Sequence, residues 1–180
     1  MARLKLISVI AVLFASHISL AQEVAFKYKL NLLFGMTSSC TYEGQKEISQ
    51  VRFNIDKSDL NSKKDFVEAE IRLSACIITG DMIKERYSVP VPRFLFTDGA
   101  APMQGVFNIA HPKFSKVSVD EVRRGTFQVR FIEKNGQAWK QIDPIELTLN
   151  SKASHPEKLR FYVTSKKKWI EASLRLIEGR

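Results

Sequence analysis

From residue 24 onward, apolar and polar positions alternate with a period of two. "VAFKYKLNLLF" puts Val24, Phe26, Tyr28, Leu30, Leu32 and Phe34 on one face and Lys27, Lys29 and Asn31 on the other. In "VEAEIRL", Val67, Ala69, Ile71 and Leu73 alternate with Glu68, Glu70 and Arg72. "TFQVRF", "IELTL", "LRFYV" and "IEASLRL" repeat the pattern. Successive side chains of a strand point to opposite faces, so each run predicts an antiparallel strand with one face in a core and one in water. The closing "KKKWIEASLRLIEGR" is ambiguous, because Ile170, Leu174 and Ile177 would also line a helix. Ile170, Ala172, Leu174 and Leu176 alternate, and we read a strand.

The breaks between runs carry turn chemistry. Asn135-Gly136 is the strongest hairpin signal, and Glu43-Gly44, Gly80-Asp81, Asp98-Gly99 and Arg124-Gly125 mark further turns. In "SVPVPR", Pro90 and Pro92 remove two amide donors from one side of a strand, which places that strand at a sheet edge. Many short strands at fairly regular spacing predict an all-β chain: an antiparallel β-sandwich of about eight to ten strands, with a small closed, lipocalin-like β-barrel as the alternative. An outer-membrane barrel is disfavoured, because several outward faces would present Lys, Arg or Glu to lipid at mid-strand.

The first residues break the pattern. Arg3 and Lys5 precede an apolar run from Leu6 to Ala15, and Ser19 and Ala21 follow at the small positions of a signal-peptide cleavage site. The run is too short to span a bilayer core, which takes about 20 apolar residues. The expected organisation is a signal peptide over 1–21 and one β-rich domain over 22–180, starting at Gln22, with no transmembrane segment after cleavage and a periplasmic or secreted location. In an oxidising compartment the only two cysteines, Cys40 and Cys76, are expected to pair.

Local motifs for chemistry are absent or defective. His111 and His155, the histidines outside the expected signal peptide, each adjoin a proline and lack zinc-ligand spacing. "DLNSKKDFVEAE" superficially resembles a calcium loop through Asp59, Asn61, Asp65 and Glu70, but Lys63 and Lys64 stand where a ligand and a glycine are needed. Ser165-x-x-Lys168 lacks the companion elements of serine acyl-transfer enzymes. No cofactor, metal site or catalytic residue is assigned. An enzyme assembled from distant residues leaves no such trace, so a secreted hydrolase is kept as an alternative, as is a barrel carrying an apolar ligand.

Charge changes the picture most. Residues 22–110 hold eleven basic and eleven acidic side chains, whereas residues 111–180 hold fifteen basic and eight acidic. This asymmetry predicts a non-enzymatic binding domain whose basic carboxyl-terminal half meets an anionic lipid, a polysaccharide or an acidic protein, with nucleic acid ranked below them. The candidate surface comprises Arg123, Arg124, Arg130, Arg160, Lys166, Lys167, Lys168 and Trp169. A second candidate is an apolar contact loop at Phe94, Leu95 and Phe96, next to turn-forming residues.

Overall fold

The computed structural model describes residues 23–32, 35–149 and 155–174; the expected signal peptide and its cleavage site lie outside them. Thirteen strands follow in chain order: β1 (Glu23–Leu30), β2 (Met36–Thr37), β3 (Ser39–Tyr42), β4 (Gln45–Ile48), β5 (Gln50–Asp56), β6 (Phe66–Ile77) and β7 (Met82–Pro92). Then come β8 (Gly105–Asn108), β9 (Phe114–Arg123), β10 (Thr126–Glu133), β11 (Ile142–Leu149), β12 (Pro156–Val163) and β13 (Lys168–Leu174). One helical turn, α1 (Lys57–Leu60), separates β5 from β6. All five turns read from the sequence fall between strands, and the ambiguous final run forms β13 as far as Leu174, the rest of it, with Leu176 and Ile177, lying outside the described residues.

The main sheet is antiparallel throughout and runs β7–β6–β5–β1–β13–β12–β11–β10–β9–β8, with β2 pairing the last two residues of β6. Its ten longer strands agree with the expected count. It consists of two meanders, β5–β6–β7 and β8 through β13, joined by β1, which pairs with both β5 and β13. The sheet folds over so that the two meanders face each other as a sandwich. Across the interior, Tyr87 of β7 meets Trp139 and Phe161 at ring distances of 6.3 and 6.4 Å. The alternating apolar positions of the central runs turn inward: Val67, Ala69, Ile71 and Leu73 are 0–2% exposed, and Phe127, Val129 and Phe131 are 0–3% exposed. Leu32, expected on the inward face of the first run, is instead 51% exposed, because β1 ends at Leu30 and the alternation no longer holds beyond it.

The alternative of a closed barrel is not realised. β7 pairs only with β6, and β8 only with β9. The prolines explain why. Arg93 donates its amide to Asp65 O at 2.8 Å, and amides in a strand alternate in direction, so Val91 also faces β6 while the nitrogens of Pro90 and Pro92 face the open edge. Both prolines are buried nonetheless. Phe107 of β8 packs on Phe66 (5.5 Å), and His111 reaches Glu68, so the β8 end overlaps the outer side of β6 and β7.

Phe94, Leu95 and Phe96 do not form an exposed contact loop. They make a 3-10 turn and are 7, 1 and 6% exposed. Phe96 stacks on Phe53 at 5.2 Å and Phe94 meets Phe127 at 5.0 Å, so the segment plugs one end of the sandwich. Burying two phenylalanines and a leucine here stabilises far more than exposing them on a loop. The Cys40–Cys76 disulfide is present and ties the separate β3–β4 hairpin to β6. Beside it, the buried Ser49 hydroxyl donates to Thr37 O (2.6 Å) and accepts from the Cys76 amide (2.8 Å).

Candidate anion-binding faces

The basic residues singled out in the carboxyl-terminal half do not form one cluster. Arg123 and Arg124 lie at the β9–β10 turn, where Gly125 takes a positive φ and accepts the Leu149 amide. Lys166, Lys167 and Lys168 lie at the β12–β13 turn, where Thr164 bonds back to Gln141. Successive hairpins of a meander sit at opposite ends of the sheet, so these two turns, the first and fourth of β9 to β13, are a full strand length apart. Between them, Arg130 is 3.8 Å from Asp143, and Arg160 is 3.5 Å from Glu146 while its guanidinium lies 4.0 Å over the Trp169 ring. Trp169 also packs against Tyr162 and is half-buried. Arg123, Lys158 and Arg160 do converge on a groove of about 210 Å³, but Glu146 and Glu171 line it too. Arg130 and Arg160 are answered locally, while Arg123 and Arg124 are separated from Lys166 to Lys168.

The other layer is different. Cross-strand register places Arg52 of β5 opposite Arg72 of β6, and Arg72 opposite Arg86 of β7. On the far side of Arg52 the register continues to Lys27 of β1. All three arginines are exposed, because each alternates with core residues such as Val51, Ile71 and Tyr87. Like charges directly opposite each other on neighbouring strands destabilise a sheet. One carboxylate offsets this row: Glu70 accepts from Arg72 Nε and from Arg86 Nη2. Burial would push the Glu70 carboxyl up, but these two guanidiniums outweigh it and hold the group below its ordinary value. Among the described residues, Arg52 has no ion-pair partner. Sequence reasoning missed the row because its three members are far apart in the chain. Each is an outward residue in the middle of an alternating run, which is visible, but the register that lines them up is not.

A third cluster tests the hydrolase alternative. His111 Nδ1 accepts the amides of Lys113 and Phe114, both at 3.1 Å, which fixes the proton on Nε2; that nitrogen donates to Glu68 Oε2 at 3.1 Å. Ser88 Oγ donates to the other oxygen of Glu68. The groups beside a mixed polar and apolar groove of about 510 Å³ are therefore in the order Ser–Glu–His. Nucleophilic catalysis needs the imidazole between hydroxyl and carboxylate, accepting the hydroxyl proton. Here both imidazole nitrogens are occupied elsewhere, so Ser88 is not activated.

The calcium-like segment is answered in the same way, with Lys64 Nζ on Asp59 Oδ1 at 3.0 Å. His155 packs on Phe26, and burial lowers its pKa against the raising effect of Asp98. Among the described residues no group of three or more His, Cys, Asp or Glu is placed to hold a metal. The chain matches no known family model, no curated protein and no solved structure.

Proposed function

We propose that the chain is an exported, non-enzymatic binding domain that engages an anionic partner on the outer face of its folded sheet, chiefly through β5, β6 and β7. The observation that carries this reading is the row Arg52–Arg72–Arg86. A row of like charges with one carboxylate lowers stability. Departures from local design rules of this kind are expected at functional sites. Charges on such a face attract an anion over roughly a Debye length, about 8 Å at physiological salt. Export is supported by the charged, apolar and small-residue order of residues 1–21 and by the paired cysteines. The carboxyl-terminal groove at Arg123, Lys158 and Arg160 serves as an accessory contact.

The test is binding of the folded protein to immobilised acidic polysaccharide and to anionic vesicles across a salt series. Binding is expected to fall steeply with salt. It should be largely lost when Arg52, Arg72 and Arg86 are all changed to Gln, and little affected when Lys166, Lys167 and Lys168 are. Salt-independent binding, or a larger loss from the lysine variant, would overturn the assignment to this face.

A further inference from the structure

Glu70 shows how the row holds an anion. Its two carboxylate oxygens are divided between Arg72 and Arg86, so one planar group bridges guanidiniums on neighbouring strands. The adjacent gap, between Arg52 and Arg72, has the same cross-strand register and an equally exposed pair. Its corners are Gln50, Ser74 and Asn54, with Glu70 at the fourth, already turned towards Arg86. The protein thus carries two like gaps, one closed by its own carboxylate and one lined by Gln50 and Ser74, with Glu47 beside it already paired to Lys84 at 3.1 Å.

We infer that, granted the anionic-partner reading above, the row binds the carboxylates of a linear acidic polysaccharide, a polyuronate laid across the strands, with Arg52 as a principal contact. Three features select this chemistry. The arginine fork matches a planar carboxylate, the group this row already accommodates. Neighbouring strands are about 4.8 Å apart, so the guanidiniums form an evenly spaced ladder across the sheet that a chain carrying carboxylates at regular intervals can engage at more than one point. The flanking outward residues Gln50, Asn54, Ser74 and Ser88 are short and polar. They offer neither rings for base stacking, which single-stranded nucleic acid requires, nor the apolar surface that a membrane-binding face buries. Glu70 is then an internal competitor, occupying two of the three arginines until a ligand carboxylate replaces it.

The test uses the full folded chain and polygalacturonate oligomers, with dextran sulfate, single-stranded DNA and phosphatidylglycerol vesicles as competing probes. Polygalacturonate is expected to bind best. Arg52→Gln should weaken it roughly tenfold, the size of one charge-assisted hydrogen bond. Glu70→Gln should strengthen it about two- to fivefold, the fold-change equivalent of an exposed ion pair, while lowering Tm. A merely structural Glu70 would lower Tm and leave binding unchanged or weaker, and that result overturns the inference. If dextran sulfate, DNA or vesicles bind better while Arg52→Gln still weakens them, the polyuronate is wrong and the anionic-partner reading stands. If none of the four probes binds at low salt, both fail. A cooperative melt of Arg52→Gln with a midpoint no lower than that of the parent chain separates lost contact from lost fold.

Discussion

In the β5–β6–β7 layer, drawn from a stretch of chain with balanced charge, three arginines stand in one row around a single carboxylate. In the β9–β12 layer, drawn from the stretch with fifteen basic and eight acidic residues, Arg130 faces Asp143 and Arg160 faces both Glu146 and the Trp169 ring. The segment with excess charge therefore presents its cations mostly paired or dispersed, and the neutral segment presents them aligned. Net charge over a stretch of sequence measures how many charges there are. Strand register decides which of them meet.

The two layers would differ most if they were separate folding units. They share one core, so Phe53→Ala in one layer and Phe131→Ala in the other should each cost about 3–5 kcal/mol. Both should lower the denaturation midpoint of a single transition followed by fluorescence and circular dichroism. Two resolved transitions, with only one shifted by each variant, would show independent layers.

A smaller effect tests the staple on the arginine side. Replacing Cys40 and Cys76 together by Ser should lose up to about 4 kcal/mol, the chain-entropy value for a loop of this length. Chemical denaturation of the double variant checks it. An unchanged midpoint would mean that the β3–β4 hairpin is held without the disulfide.

Single charges sharpen the contrast, because equivalent substitutions should have opposite signs. Arg52→Gln relieves like-charge repulsion and should stabilise by about 0.2–1 kcal/mol. Arg160→Gln removes the Glu146 pair and the stacking on Trp169, and should destabilise by about 0.5–1 kcal/mol. Thermal melts at low and high salt measure both, and the Arg52 gain should shrink as salt screens the row. Two changes of the same sign would remove the distinction between layers.

The smallest effects are in pH dependence. Glu70 is held low, so its contribution is complete above its ordinary value and is lost as pH falls through the folded value. Asp143 is the reverse: burial pushes its carboxyl up against the lowering effect of Arg130, so its ionisation weakens the fold as pH rises from the ordinary value towards the folded one. Melting between pH 3 and pH 7 should show Glu70→Gln flattening the acid-side loss. Asp143→Asn should gain at neutral pH, by well under 1 kcal/mol once solvent screening is allowed for. A destabilised Asp143→Asn would contradict the cost of burying that carboxylate, whose Oδ1 has no hydrogen-bond partner among the described residues.

The fold was largely legible because it rests on local rules. Val67 to Leu73 and Phe127 to Phe131 declared their inward faces by alternation, Asn135-Gly136 declared its turn, and Pro90 and Pro92 declared an edge. The candidate site was poorly legible because it rests on pairing between distant strands. Arg52, Arg72 and Arg86 were each visible as outward residues, yet only the ladders β5–β6 and β6–β7 make them neighbours. The run Phe94–Phe96 misled for a related reason. An apolar triplet before a loop reads the same whether it plugs a core or protrudes, and only the facing rings of Phe53 and Phe127 decide.

The position of β1 bears on how the molecule comes to be folded at all. Its register joins Tyr28 to Leu174 on one side and to Val51 on the other, so nearly the first and nearly the last described residues must be found before the sheet is continuous. Such non-local closure is slow, in the range of milliseconds to seconds for β proteins. During synthesis the β5–β7 meander can assemble early, but β1 keeps an unsatisfied edge until β13 has emerged. A chain ended after β12 would leave two open edges at the middle of its sheet, those of β1 and β12, which is the template that promotes edge-to-edge association until β13 arrives.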